Sequence, residues 1–319
     1  MTEPDSTFDS AAELLARITE QLGTQLGHVH PYGRRPRKHD EEARPPMNVP
    51  TLVTPAVALA ATAPGSVVPG VRADDAPTLV AVGHGSRDPR ARATLNRLLD
   101  RVRELRPGLD VRLAHIELNA PLLDATLAEL AAEGRDAVLV PLLFAPGYHV
   151  THDLPAAVAA VPALRARVAE PLGAHPLLVE ALADRLAQAG WTPEDGTSHG
   201  TGVVLASAGS RDPRSGAEIR RIAALLGERL GGVPVVPAYA SAAAPTVAEA
   251  VRALAARGRH RVAVASCFTA PGLFATRAAA DAPWIAAAPL GAHPALARLV
   301  LHRYDRVRTT LPVRELAAV

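Results

Sequence analysis

Aromatic side chains and cysteine are scarce in this sequence. Phe, Trp and Tyr make up 3% of the 319 residues, and the one cysteine is Cys267. Proteins that hold single-stranded nucleic acid usually stack bases on aromatic rings, so the sequence indicates no nucleic-acid partner. One cysteine excludes an internal disulfide, a thiolate zinc site and a cysteine-ligated iron–sulfur cluster. We therefore expect an aliphatic core and a cytoplasmic location.

The sequence also lacks a charge excess and a long uninterrupted apolar segment. Its 34 basic and 32 acidic residues leave a net charge of +2, which gives little support for a polyanionic partner. The first residues include acids and lack the basic and apolar regions of a signal peptide. The apolar stretch 49–71 contains four prolines, so it is a poor membrane helix. We expect no association with a membrane.

Residues 1–76 differ from the rest of the chain. Residues 8–26 have the apolar spacing of a short amphipathic helix, but charges and prolines dominate the segment that follows. Such a segment buries too little apolar surface to offset its ordering entropy, so we predict a largely disordered extension. Transient metal capture by His28 and His30, or docking on an acidic partner, is the alternative.

From Thr78 onward, short apolar runs alternate with amphipathic segments, which is typical of a parallel sheet with helices on both faces. A stretch rich in Gly, Thr, Ser and Pro at 191–202 predicts a boundary between two domains, 77–190 and 200–310. In the first domain we predict strands over 78–83, 110–117, 137–144 and 166–170, and helices over 89–105, 121–133, 153–161 and 175–189.

The second domain repeats the first. The motif GSRDPR occurs at 85–90 and again at 209–214, and PLGAHP occurs at 171–176 and 289–294. The predicted fold class is therefore α/β with two duplicated domains, each a small parallel sheet covered by helices.

Three polar side chains of the first domain are predicted to follow successive strands. They are His84, Glu117 and His149. Because parallel strands bring their carboxyl ends to one edge of a sheet, these side chains should converge there. Two nitrogens and one oxygen suit a borderline divalent metal such as iron, cobalt, nickel or zinc. They also suit proton transfer, since imidazole titrates near neutral pH.

The repeat provides an internal control for this site. At the matching positions the second domain has Ala208, Ser241 and Phe274, so all three polar groups are missing together. Residues needed only for packing should be replaced independently. We therefore predict one chemical site, in the first domain.

Four further residues are candidates for contact with a ligand. Ser86 and Arg87 follow His84, Tyr148 precedes His149, and Arg211 stands in the second copy of the motif. Arginines from both loops, Arg90 included, would meet acidic groups of a ligand if the loops face one cleft. Because the motif is kept in both domains, loop geometry and helix capping explain it equally well.

The remaining histidines of the two domains are weaker candidates. His115 would share a strand face with Glu117, and His152 follows His149 by three residues. His175 and His293 both lie in the repeated PLGAHP, which indicates a helix start.

Three motifs together resemble the sirohydrochlorin chelatase family of class II tetrapyrrole chelatases, which includes cobaltochelatases and ferrochelatases. They are GHGSRDP at 83–89, Glu117 followed by Asn-Ala-Pro at 119–121, and PLLFAPGYHV at 141–150. The resemblance covers about 77–310. It implies a chelatase-like fold in which two α/β domains face each other across a cleft that takes the macrocycle.

The resemblance also implies a reaction. A divalent metal, with Fe²⁺ favoured and Co²⁺ next, would be inserted into sirohydrochlorin without ATP, giving siroheme or cobalt-sirohydrochlorin for cobalamin synthesis. His84 and His149 would bind the metal, and a histidine, with Glu117, would accept the pyrrole protons. The partners would be sirohydrochlorin and the metal ion, with no further cofactor. A monomer is favoured, with a weak homodimer as the alternative.

Two other functions stay open at this point. A metal or tetrapyrrole carrier without turnover would use the same three side chains. A hydrolase with Ser86 as nucleophile beside His84 has less support, because Ser210 repeats the serine where no histidine remains.

Overall fold

A computed structural model describes residues 76–308 of the chain. The helix predicted over 8–26, the predicted disorder of 1–76, and His28 and His30 lie outside this range, apart from the last residue of that segment.

The first half of the described chain builds a sheet of parallel strands in the order β2-β1-β3-β4. Its elements are β1 (Thr78–Gly83), α1 (Pro89–Leu105), β2 (Val111–His115), α2 (Leu123–Ala132), β3 (Ala137–Pro141), a π-helical turn (His149–Asp153), α3 (Leu154–Ala159), β4 (Ala166–Val168) and α4 (Pro176–Gln188).

The second half builds a parallel sheet in the order β6-β5-β7. Its elements are α5 (Pro193–Thr197), β5 (Thr201–Ser207), α6 (Pro213–Arg229), β6 (Val235–Tyr239), α7 (Val247–Ala255), β7 (Arg261–Ser266), α8 (Leu273–Ala280) and α9 (Pro294–Arg308). The predicted fold class, two parallel sheets covered by helices, is confirmed.

The central strand β1 is apolar because both of its faces are buried. Leu79 and Ala81 belong to a core that both halves share, whereas Val80 and Val82 pack in a separate core with Leu127 of α2. Strand β5 alternates in the same way between the shared core and a core of its own. None of the helices between residues 76 and 308 combines the length and apolarity needed to cross a membrane.

The last helix of each half packs on the other half. Helix α4 contacts α6 and β7, and helix α9 contacts α1 and β3. Hydrogen bonds also join the two halves next to these helices. Ala174 donates its N–H to Glu218 Oε1 over 2.5 Å, and Arg185 Nε donates to the Leu290 carbonyl over 3.1 Å. The two sheets therefore share one core through exchanged helices.

Helices α1 and α6 begin in the same way. The carboxylate of Asp88 accepts the N–H of Arg90 over 2.9 Å, and Pro89 occupies the first turn, where a missing N–H is harmless. Asp212 and Arg214 repeat the bond at 2.9 Å. The repeat of the motif thus has a structural cause, as expected for helix capping.

Several predicted bounds differ from the observed ones by one to three residues, and the largest differences lie at the carboxyl edge of the first sheet. Strand β2 ends at His115 instead of residue 117, and β3 ends at Pro141 instead of residue 144. Helix α2 begins at Leu123, not at residue 121, since Pro121 accepts with its carbonyl the N–H of His115. The segment 191–202 predicted as a connection contains α5 and the start of β5. The loops at this edge also contain apolar residues, so their sequences resemble continuations of the strands.

Candidate active site

The loop after β1 brings His84 against the loop after β2. The N–H of Glu117 donates to the carbonyl of His84 over 3.0 Å. Gly85, at φ 109°, lies beneath this contact, and a β-carbon there would lie 1.9 Å from the Glu117 carbonyl oxygen. Only glycine allows the two loops to approach so closely.

His84, Glu117 and His149 lie together at the carboxyl edge of the first sheet. Nδ1 of His84 is 3.4 Å from Oε1 of Glu117, and both side chains are about half exposed. The ring of His149 meets that of His84 edge to face, with centroids 4.7 Å apart. The structure therefore brings the three predicted side chains to one solvent-accessible place.

The elements that carry them differ from the prediction. Only His84 directly follows a strand; Glu117 lies two residues beyond the end of β2 at His115. His149 opens the π-helical turn, well after β3. The extra loop length lets both side chains turn back toward His84.

Asp153 lies beside His149 and was not among the predicted site residues. Oδ2 of Asp153 is 2.6 Å from Nδ1 of His149, at the end of the π-helical turn, where Leu154 N–H donates to the His149 carbonyl. Such turns often mark functional sites. Two signals could have revealed it: the i,i+4 spacing of His149 and Asp153, and Ala278 at the matching position of the second half.

Both imidazoles of the pair present Nδ1 to a carboxylate. A neutral imidazole that donates Nδ1–H in this way keeps the lone pair of Nε2 for a metal ion or a proton. Among residues 76–308 no group of three or more His, Cys, Asp or Glu side chains is arranged to hold a metal ion. The expected set of two nitrogens and one oxygen is thus not assembled as three ligands, since Glu117 faces His84.

Loops of the second half lie beside this place. A β-carbon on Gly147 would lie 3.5 Å from Ser210 Oγ, and one on Gly272 would lie 3.4 Å from Ser86 Oγ. Each serine loop therefore packs on the glycine turn of the opposite half. This brings Arg211, next to Ser210, toward the first-half site.

The arginines of these loops fall into two kinds. Arg90 donates to both carboxylate oxygens of Asp88, at 3.0 and 2.7 Å, so its role is local. Arg87 and Arg211 are exposed, and neither forms an ion pair with another residue between 76 and 308.

Ser86 and Tyr148 have distinct surroundings. Ser86 Oγ accepts the N–H of Asp88 over 3.1 Å, and the Ser86 N–H donates to Asn119 Oδ1 over 2.6 Å. Tyr148 is exposed and stacks on His152, with ring centroids 4.7 Å apart.

Three further histidines, His115, His175 and His293, have surroundings different from those of the pair. His115 is buried, its Nδ1 has no hydrogen-bond partner among residues 76–308, and burial lowers its pKa. The prediction that His115 shares a strand face with Glu117 is wrong, because β2 ends at His115, two residues before Glu117. His175 and His293 accept the N–H groups of Leu177 and Ala295 at 3.2 Å, which confirms that they begin helices.

The second half repeats the backbone of the site without its side chains. Ser241 N–H donates to the Ala208 carbonyl over 2.9 Å, as Glu117 does to His84. Thr276 N–H donates to the Gly272 carbonyl over 2.9 Å, as Thr151 does to Gly147 over 3.0 Å, so Phe274 matches His149.

Two curated proteins are similar to this chain in sequence. A sirohydrochlorin cobaltochelatase of Priestia megaterium is 25% identical over 206 residues, which are 61% of this chain and 65% of that protein. A sirohydrochlorin ferrochelatase of Bacillus subtilis is 27% identical over 173 residues, 53% of this chain and 64% of that protein. The chain thus spans just under two thirds of the length of each.

Solved structures share the fold. SirB from Bacillus subtilis with Fe³⁺ has a TM-score of 0.61 at 22% identity, covering 74% of this chain and 96% of that one. CbiX, described as the terminal enzyme for biosynthesis of siroheme in denitrifying bacteria, has a TM-score of 0.54 at 24% identity, covering 72% and 98%.

The CbiX family model matches this chain twice, over residues 78–189 and 202–307. The two matches take in more than half of the chain and follow its two sheets, and the chain therefore belongs to the CbiX family.

Proposed function

We propose that this protein inserts a divalent metal ion into sirohydrochlorin. The observation that carries the proposal is the pair of imidazoles of His84 and His149, 4.7 Å apart, each with a carboxylate at Nδ1. Relatives named as sirohydrochlorin cobaltochelatase and ferrochelatase support the same chemistry. The metal ion is a substrate here, and no cofactor beyond it is needed.

The carboxylates prepare the imidazoles for this task. Asp153, hydrogen-bonded to Nδ1 of His149, favours the tautomer of that ring that leaves Nε2 unprotonated, and Glu117 faces Nδ1 of His84 at 3.4 Å, so Nε2 of each ring is left to bind a borderline cation. Two imidazoles fill only part of the coordination shell. The open positions are those that the pyrrole nitrogens would take as the metal passes from the protein to the macrocycle.

The reaction balances without a redox step or ATP. One M²⁺ ion enters, two pyrrole N–H protons leave, and the metal–macrocycle complex keeps its charge. As the metal departs, Nε2 of each imidazole becomes available to accept one of the two protons. His84 can then release its Nδ1 proton to Glu117, which faces that atom and is exposed, so that the proton passes to solvent. We propose His84 and His149 as metal ligands and His84, Glu117 and His149 as the proton-transfer groups.

Arg87 and Arg211 are proposed to bind the acidic side chains of the macrocycle. Both are exposed and unpaired among residues 76–308, and they come from opposite halves of the cleft. Ser86 and Tyr148 are proposed as further contacts at its rim. We propose Fe²⁺ as the preferred metal and Co²⁺ as the second.

An anaerobic absorbance assay tests the proposal. Metal-free sirohydrochlorin is mixed with Fe²⁺ or Co²⁺ and the wild-type protein, His84→Ala, His149→Ala or the control His199→Ala. His199 is exposed and precedes β5, at the opposite end of the sheet from the site. We expect acceleration over the spontaneous reaction by the wild type and His199→Ala, and its loss in the other two variants.

The same assay separates an enzyme from a carrier. An enzyme turns over sirohydrochlorin in excess of protein, whereas a carrier stops after one equivalent and holds metal tightly without the macrocycle. No acceleration by the wild type would refute insertion.

A further inference from the structure

Exposed apolar side chains occur in the site loops of both halves. Leu118 is 55% exposed and Tyr148 66%, and they adjoin Glu117 and His149. On the second half, Leu273 is 61% exposed and Phe274 37%. An apolar patch rimmed by polar groups is typical of a ligand site.

Phe274 stands where the first half has His149. In the first half the ring of His149 is covered by His84, whereas the second half has Ala208 at that position, which has no ring to cover Phe274. Leu273 likewise replaces Tyr148. At these two positions the second half thus has exposed apolar side chains and lacks the imidazole of the first half.

This apolar turn lies next to the first-half site. Gly272, which immediately precedes Leu273, packs on Ser86, two residues from His84. Ser241, which stands where the first half has Glu117, turns its hydroxyl away from this role, because Ser241 Oγ donates to the Ala208 carbonyl over 3.2 Å. Leu273 and Phe274 therefore present apolar surface to the cleft from the second half, while the histidines belong to the first.

We propose that Leu273 and Phe274 form an apolar wall that holds the macrocycle of sirohydrochlorin, which leaves metal delivery to the histidine side alone. This inference rests on the proposed function. A flat conjugated ring system can stack on Phe274 and lie against Leu273. Arg87 and Arg211 supply the positive charge that pairs with the carboxylates of the macrocycle. The apolar side chains and the two arginines thus suit different parts of one ligand.

The wall also gives the difference between the two halves a role. A histidine at both matching positions would allow metal to approach the macrocycle from either half. With Phe274 in place the cleft has one metal-delivering side and one binding side. Phe274 and Leu273 are positioning residues in this scheme, since neither can bind a metal ion or take a proton.

The test compares Phe274→Ala and Leu273→Ala with Leu105→Ala. Leu105 is 51% exposed and ends α1, at the edge of the sheet opposite to the site, so it is a matched control. Three quantities are measured: binding of metal-free sirohydrochlorin by anaerobic absorbance titration, kcat and KM for insertion, and binding of Co²⁺ alone by its visible spectrum. Phe274→Trp tests whether another aromatic ring restores binding.

We expect Phe274→Ala to raise the dissociation constant and KM for sirohydrochlorin about tenfold. Its kcat and its Co²⁺ affinity should change less than twofold, and Phe274→Trp should restore KM. Leu273→Ala should show a smaller rise, and Leu105→Ala none. A purely structural role would instead lower the melting temperature and leave KM unchanged.

The outcomes separate the two proposals. If the wild type inserts metal and Phe274→Ala and Leu273→Ala match Leu105→Ala in KM, the wall is refuted and the proposed function stands. If the wild type binds sirohydrochlorin without inserting metal and Phe274→Ala loses that binding, the insertion proposal falls and the wall stands. Absence of sirohydrochlorin binding by the wild type overturns both.

Discussion

Gly85 and its repeat Gly209 offer a matched pair of substitutions. Gly85 has φ 109° and Gly209 has φ 93°, and a β-carbon at either would lie 1.9 Å from a backbone oxygen, of Glu117 or of Ser241. Alanine at either position therefore meets the same clash in the same conformation. The two variants differ only in which loop must move.

The expected loss of stability follows from two contributions. A non-glycine residue in this region of φ is destabilising by about 1–3 kcal/mol, and forced displacement of packed backbone by about 1–3 kcal/mol more. We expect both Gly85→Ala and Gly209→Ala to lose about 4 kcal/mol. For a folded unit of this size that is a fall in melting temperature of about 8–16 °C.

The effect on activity should differ between the two. To relieve the clash in Gly85→Ala, the Glu117 loop must move by roughly 1 Å away from His84, and misplacement of that size costs on the order of a hundredfold in rate. The corresponding movement in Gly209→Ala affects Ser241, which has no proposed role in chemistry.

Thermal unfolding and the metal-insertion assay, run well below both melting temperatures, check this prediction. Similar melting temperatures with a large rate loss only in Gly85→Ala would support the steric argument and the location of the site. Equal rate losses would refute the location, and an unchanged melting temperature in either variant would refute the steric argument.

Three further predictions concern single histidines and their partners. Asp153→Asn removes the carboxylate at His149 Nδ1 and should weaken Co²⁺ binding about 10–100-fold in a spectroscopic titration, with Asp153→Glu recovering part of it; unchanged affinity would contradict the pairing. Burial lowers the pKa of His175 and His293 below 6.5, so the unfolded chain binds protons more readily than the folded one. The stability that depends on these histidines should therefore be full above about pH 6.5 and fall below it. Substitution of both by Asn, which also caps helices, should flatten the decline in melting temperature between pH 7 and 5. His115→Phe removes a buried nitrogen without a partner among residues 76–308 and should keep or raise the melting temperature with no loss of insertion rate, whereas a rate loss would indicate that His115 belongs to the site.

The sequence predicts the parts of this structure that depend on periodicity and on repetition. Strand β1 and helix α1 have the predicted bounds, because an apolar run and a capped amphipathic segment are local signals. The order of strands and loops also predicts that His84, Glu117 and His149 meet at one edge of a parallel sheet, and the alignment of the two halves singles them out from the other polar residues. Comparing the two copies within one chain separates the residues that both copies keep for folding from the polar residues that only the first copy has.

The remaining features depend on contacts that are distant in sequence. Asp153 was missed because the predicted helix begins only at residue 153, whereas the structure has a π-helical turn over His149–Asp153 that places the Asp153 carboxylate at His149. The packing of Ser86 on Gly272 and of Ser210 on Gly147 depends on the arrangement of the two halves, which no local pattern encodes. The exchange of α4 and α9 was likewise invisible, since both helices have ordinary amphipathic sequences.

The exchange of α4 and α9 constrains how this chain can evolve. If two identical subunits swapped their last helices in this way, symmetry would impose the same residues on both sites. Joining the copies in one chain removes that constraint, because each copy then mutates alone while still covering the sheet of the other. Neither copy can be discarded, since its helix completes the core of its neighbour. The site residues of the two copies can therefore differ, as Ala208, Ser241 and Phe274 do from His84, Glu117 and His149, whereas the fold of both copies must be kept.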